Sequence, residues 1–247
     1  MAQEQLFILT GSSRGMGEAI ARQLLEPGHV LIGLARQQNA ELAIAAQNRG
    51  VALEQWQFDL GQPLAAAKAL LGWLKAQPAA RFERAVLINN AALVSAPGPV
   101  ESASLESLSA TVRVGLEAVL LLSSAFLQGT QAWAAERRIL NISSGLGRRA
   151  MAGAAPYCAI KAGMDNLSRA MALDGAKVVS LAPGIIDTDM QAQLRGGDPA
   201  LFPDQAVFAA FKSQGQLDSP EAAAAKVIRY LNRPDFGATV LADVRDA

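Results

Sequence analysis

The 247 residues carry 22 basic and 22 acidic side chains, so a zero formal charge leaves no electrostatic footprint for nucleic acid or an anionic membrane. Hydrophobic residues make up 51% and charged residues 18%, which excludes a disordered chain and supplies a large core. A single cysteine, Cys158, excludes an intramolecular disulfide, and with a single histidine, His29, it argues against a Cys/His zinc site.

The first apolar run, 6–9, is too short for a signal peptide and lacks a basic flank. LFILT (6–10) reads instead as a buried strand. A glycine-rich turn follows, then a helix to about Leu25, stopped by Pro27 and Gly28. HVLIGLA (29–35), with His29 at its loop junction, VALEQWQF (51–58), AVLIN (85–89), RILNI (138–142), KVVSLA (177–182) and ATVLA (238–242) read as six further strands. Helical patterns lie between them at 38–49, 62–76, 103–131, 154–174 and 219–232. The last opens with Ser219-Pro220-Glu221, a cap residue followed by proline at the first helical position. The longest apolar region, 114–127, contains Glu117 and falls short of the ~20 residues of a membrane span. A soluble cytoplasmic protein is the expectation.

Continuous apolar strands alternating with helices imply a mostly parallel sheet covered on both faces. Right-handed crossovers make it doubly wound. The expected fold is therefore α/β and Rossmann-like, a single domain over residues 1–247 around a seven-stranded sheet. The stretch from about 188 to 216 breaks the rhythm with Gly196-Gly197, two prolines and scattered aromatics, and reads as a mobile substrate flap.

TGSSRGMG (10–17) joins the first strand to the first helix. Gly11, Gly15 and Gly17 are spaced G-x-x-x-G-x-G, with Ser13, Arg14 and Met16 between them. Glycines let the chain turn tightly and let a pyrophosphate approach the free N–H groups of the helix start. Arg36 ends the second strand, where NAD-binding chains usually carry an acid. Arg36 and Arg14 could embrace a 2′-phosphate, which favours NADP(H) over NAD. Asp59 follows the third strand, placed to meet the adenine, and Asn90 and Ala91 end the fourth at the carboxyl edge where ligands bind in such sheets.

PYCAIKAGM (156–164) sets Tyr157 and Lys161 one helical turn apart, on one face. At about 6 Å and an effective dielectric of about 20 an ammonium stabilises a phenolate by roughly 3 kcal/mol, or about two pKa units. That would bring tyrosine, ordinarily near ~10, toward working pH as a general acid. Ser144, just after the fifth strand, could polarise a substrate carbonyl.

With these motifs in this order, the chain resembles the short-chain dehydrogenase/reductase family over essentially its whole length. TGSSRGMG, NNAA, the serine after NIS, YCAIK and LAPGIIDTDM (181–190) carry the resemblance. NISSG, APYCAIKAGMD and PGIIDTDMQAQLR are similar to its sepiapterin-reductase-like branch, which includes bacterial benzil reductases. The resemblance implies hydride transfer from a nicotinamide, protonation by Tyr157 and orientation by Ser144. It also implies that Lys161 holds the nicotinamide ribose and that Pro183, Gly184, Ile186 and Thr188 meet the nicotinamide end. Asp243 corresponds to a carboxylate that the branch uses for a pterin, against the plainer reading of a solvent-facing aspartate. The helix over 103–131 would pack on a second subunit, giving a homodimer or homotetramer.

Two departures stand out. Ala92 replaces the family's usual glycine, and Gly115 falls where the family carries an asparagine that holds a water beside the lysine. A glycine there would leave space for another water. The expected activity is NADPH-dependent reduction of small ketones or vicinal dicarbonyls. A catalytically weak NADP-binding redox sensor and a 3-oxoacyl reductase are the alternatives. Trp56, Trp73 and Trp133 read as packing residues, Arg148 and Arg149 as solvated loop charge, and Cys158 as a small packed residue.

Overall fold

The computed structural model describes residues 4–246. The first half runs β1 (Glu4–Thr10), α1 (Gly15–Gln23), β2 (His29–Ala35), α2 (Ala40–Arg49), β3 (Ala52–Gln57), α3 (Pro63–Lys75) and β4 (Phe82–Asn89). The second half runs α4 (Leu105–Val112), α5 (Ala118–Gly129), β5 (Glu136–Ile142), α6 (Ala155–Leu173), β6 (Val178–Ala182), α7 (Asp189–Arg195), α8 (Gln205–Ser213), α9 (Pro220–Leu231) and β7 (Leu241–Asp243). All strand pairs are parallel, in the order β3-β2-β1-β4-β5-β6-β7. The chain winds outward from β1 in one direction, then returns to β4 and winds the other way. The carboxyl ends of β1 and β4 thus flank a topological switch point, the place where such sheets bind ligands.

β1 shows why the strands are uninterrupted apolar runs. Successive side chains point to opposite faces of a sheet. Phe7 and Leu9 join a core with Ile20 of α1 and Val227 of α9, while Leu6 and Ile8 join a second core with Leu70 of α3 and Phe126 of α5. Each such buried side chain contributes about 2 kcal/mol. β3 is an edge strand with no fully buried residue, and Glu54 on it accepts hydrogen bonds from the indole nitrogens of Trp56 and Trp73. Trp73 stacks on Phe82 and Phe82 on Trp133, so the tryptophans pack as expected, away from the switch point.

Three elements depart from the sequence expectation. The helix expected over 103–131 is divided: a π-helical turn at Arg113–Glu117 separates α4 from α5. The whole run Leu105–Gly129 is long and apolar enough to cross a membrane, so length does not exclude a span, but half of its apolar window is buried inside the protein. The last strand begins at Leu241, because Gly237 takes a positive φ and Ala238 N–H closes a turn on Asp235. The stretch 188–216 holds two short helices, α7 and α8, rather than open loop. Leu194, Phe202 and Phe208 give it a small core of its own. Its ends are clasped by a bridge in which Asp187 N–H donates to Asp218 O and Asp218 N–H to Ile185 O.

Candidate active site

The turn from β1 to α1 is built by close contact. Gly11 has φ +72°, and a Cβ on it would lie 3.0 Å from Asn90 Nδ2. A Cβ on Gly17 would lie 1.9 Å from Gly11 O, so only glycine permits this turn. Thr10 Oγ1 accepts from the backbone N–H of both Asn90 and Ala91, which ties the end of β4 to the end of β1. Gly15 is different: the nearest atom to a Cβ there would be Thr188 Cγ2, at 3.9 Å. That side of the loop opens toward the segment leading into α7. Arg14 stands at the start of α1 without capping it through its side chain, so the first-turn N–H groups are available to an anion. Arg14 pairs with Asp189 across the cleft.

The other expected cofactor residues surround this loop. The Met16 side chain is buried in the core, so only its backbone faces the turn. Ser13 O accepts from Asn39, whose side chain also caps α2 by accepting from Leu42 N–H. Arg36 is exposed at the end of β2 and forms no ion pair among the described residues. Asp59 turns the chain into α3 by accepting from Gly61 N–H. Pro183 and Gly184 leave β6 at the same carboxyl edge; Ile186 is buried in the core, and Thr188 is half-buried opposite Gly15.

β5 ends at Ile142, and Ser144 follows with its hydroxyl accepting from Leu146 N–H in the turn Gly145–Gly147. α6 starts at Ala155-Pro156 and presents Tyr157 and Lys161 on one face. Lys161 Nζ lies 5.6 Å from the centre of the Tyr157 ring and donates to Ile142 O at 2.6 Å. The phenol, the ammonium and the serine thus meet at the end of β5; the helical spacing had implied this for Tyr157 and Lys161 alone.

Their proton affinities run against the simple charge argument. Burial pushes Tyr157 up to about 12, with a hydrogen bond from Ser144 working the other way. Burial pulls Lys161 down to about 8, opposed by the charge of Asp165. The attraction reckoned for a half-solvated pair is outweighed by desolvation of both groups, and Nζ is turned toward a backbone carbonyl.

Gly115 also corrects its expectation. A Cβ there would lie 2.2 Å from Ile160 Cδ1, so Ile160 fills the space that a water was expected to take. Arg148 is exposed, as expected, but it is not free loop charge: it donates to Ala242 O at 2.8 Å and Ser180 O at 3.3 Å, and its Nε lies 3.5 Å from Asp165. Arg149 is exposed, as expected. Asp243 is 6% exposed rather than solvent-facing, at the carboxyl end of β7. Arg245 grips both of its oxygens and holds its carboxyl below the usual range.

Sequence reading missed two sets of residues. Gly33 in β2 is needed because a Cβ would lie 2.4 Å from Ser12 Oγ under the glycine loop. A buried polar chain links the sheet to its helices: Asn89 donates to Asn141 and Ser123, and Asn141 donates to Ser168. Ser143 and Ser180 both donate to Asp165. The available signal was polar residues inside otherwise apolar strands.

Fold and site define a Rossmann-like domain with a serine, tyrosine and lysine gathered at its ligand edge. The chain belongs to the short-chain dehydrogenase family, whose model matches residues 5–198. It is therefore an oxidoreductase of a family that works with nicotinamide cofactors. It is 34% identical over 238 residues, 93% of this chain and 94% of the other, to a benzil reductase ((S)-benzoin forming) of Bacillus cereus. It is 30% identical over 253 residues, covering 97% and 95%, to the sepiapterin reductase of Meriones unguiculatus. A solved short-chain dehydrogenase/reductase from Burkholderia vietnamiensis is 32% identical, with 100% and 99% of the chains covered and a TM-score of 0.66. The family and branch expected from the motifs are those found.

Proposed function

We propose that the protein is an NADPH-dependent reductase of small ketones or vicinal dicarbonyls. The observation that carries this reading is the Tyr157–Lys161 pair, with Ser144 beside it, at the end of β5. The glycine loop fits a dinucleotide: α1 has no side-chain cap and Gly15 has open space beside it. Backbone groups of Gly11, Ser13, Gly15, Met16 and Gly17 would hold the pyrophosphate, and Arg14 and Arg36 the 2′-phosphate. In this reading Asp59 meets the adenine, and Asn90 and Ala91 line the middle of the cleft. Pro183, Gly184, Ile186 and Thr188 frame the nicotinamide end, and Lys161 holds its ribose. The bound cofactor supplies the hydride.

Ser144 donates a hydrogen bond to the substrate carbonyl and polarises it. Tyr157 gives its proton to the same oxygen. The second task needs a protonated phenol, and the raised affinity of Tyr157 keeps it protonated. Asp243 lies at the same edge as a substrate contact, but Arg245 occupies its carboxylate. A pterin-type substrate has to displace Arg245, whereas a diketone does not, so the diketone is the simpler fit. The exposed apolar side chains Leu105, Val112 and Leu120 along α4 and α5 offer a face for a second copy of the chain.

Cofactor oxidation followed with NADPH and with NADH, over benzil, sepiapterin and a 3-oxoacyl thioester, tests the reading. Wild-type protein should prefer NADPH and the dicarbonyl. Tyr157→Phe should lose turnover by a factor of about 100 or more while still binding NADPH. Undiminished turnover in that variant would overturn the assignment.

A further inference from the structure

We propose that Asp165, clamped by Arg148, is a positioning residue that keeps Lys161 cationic at neutral pH. The inference rests on the reading of Lys161 as the partner of Tyr157.

Asp165 lies one helical turn beyond Lys161 on the same face of α6 and is 2% exposed. An ionised carboxylate in so dry a place is costly unless hydrogen bonds and a cation answer it. Its Oδ1 accepts from Ser143 Oγ and from Ser180 Oγ, each at 2.6 Å. One donor directly precedes Ser144 and the other lies within β6, so the carboxylate joins α6 to β6 and to the turn that leaves β5. Its Oδ2 has no hydrogen-bond partner and faces Arg148 Nε at 3.5 Å. Arg148 is itself held by two carbonyls, of Ser180 in β6 and Ala242 in β7. The turn that carries Ser144 presses against this group: a Cβ on Gly147 would lie 2.8 Å from Asp165 Oδ2 and 2.9 Å from Lys161 O. Both carboxylate and cation are thus fixed, and neither enters the proposed proton transfer.

The position decides the effect. Burial strips water from Lys161 and disfavours its charge, and Asp165 is the group that opposes this. Other charges around α6 are poorly placed to do so. Glu106 of α4 and Arg113 and Glu117 of the π-helical turn are exposed, as are Arg149 and, on α6 itself, Arg169. Asp243 of β7 is engaged by Arg245. The remaining titratable neighbours on α6 are Tyr157 and Cys158. Residues four apart on a helix have Cβ atoms about 5–6 Å apart, and an opposite charge within about 4–6 Å moves a titration by about one unit or more.

Asp165→Asn is the direct test, since the amide oxygen can still accept from both serines while the charge is gone. The Lys161 signal in isotope-labelled lysine, identified by its loss in Lys161→Met, is titrated by NMR in the folded protein. It should titrate about one unit lower in the variant, and the alkaline limb of kcat/KM for carbonyl reduction should shift with it. Mere loosening of the turn would admit water and raise the titration toward its solvated value, so an upward or unmoved titration overturns the proposal. If the lone Arg148 cation prevents folding, Lys161 in Asp165→Asn/Arg148→Gln is compared with Lys161 in Arg148→Gln alone and should titrate about one unit lower; failure to do so also overturns the proposal. Lack of carbonyl turnover in the wild-type protein would defeat the reductase reading instead, while the Lys161 titration would still decide this one.

Discussion

Gly115 and Ile160 compete for one space. The π-helical turn brings Gly115 so close to α6 that a Cβ would overlap Ile160. Restoring the family's asparagine by Gly115→Asn should therefore destabilise the fold by about 1–3 kcal/mol through overpacking, without raising turnover. Combined with Ile160→Ala, it should cost clearly less in urea denaturation than the sum of the two single losses. A second residue-scale prediction concerns pH. Lys161 has its folded pKa near 8, below the unfolded 10.5. Between those values the unfolded chain binds the extra proton, so this group makes the fold more stable as pH rises through that window. The pH dependence of unfolding free energy should lose this upward slope in Lys161→Met. Activity should respond in the opposite sense and fall as pH rises through about 8, where Lys161 loses its charge. Tyr157, at about 12, keeps its proton there.

At the scale of elements, the segment between β6 and α9 shows how composition misleads. Glycines and prolines spell loop, yet α7 and α8 form because Phe202, Phe208 and Leu194 find one another and Met151. That cluster is separate from the two cores that flank the sheet. Phe202→Ala should thus cost about 3 kcal/mol locally. We expect much faster limited proteolysis within 188–216, a higher KM for the carbonyl substrate and little change in NADPH affinity. The Tm of the sheet should shift by only a few degrees. The strands were easier to read: an uninterrupted apolar run bounded by turn residues has one stable use when helices alternate with it, a sheet covered on both faces. Their ends were harder. The late start of β7 depends on the positive φ of Gly237, and the division of α4 from α5 on packing against α6, neither of which a periodicity records.

Over the whole molecule, one unsatisfied feature is the apolar face of α4 and α5, where Leu105 is 79% and Leu120 49% exposed. Sedimentation should show a dimer or tetramer, and Leu120→Glu should dissociate it to monomers that retain the fold. A wild-type monomer at micromolar concentration would remove the oligomer from the proposal. The layered fold, the glycine turn and the shared helix face of Tyr157 and Lys161 were determined by the sequence alone. Each depends on local periodicity, turn chemistry or helical spacing, and the winding of the sheet brings its strand ends to one edge. Only the tertiary structure decided how strongly Tyr157 and Lys161 hold their protons, what fills the space beside Gly115, and that Arg148 and Asp165 belong together. Desolvation and close packing are properties of neighbours far apart along the chain, and no spacing in the sequence encodes the depth at which a charge will be buried.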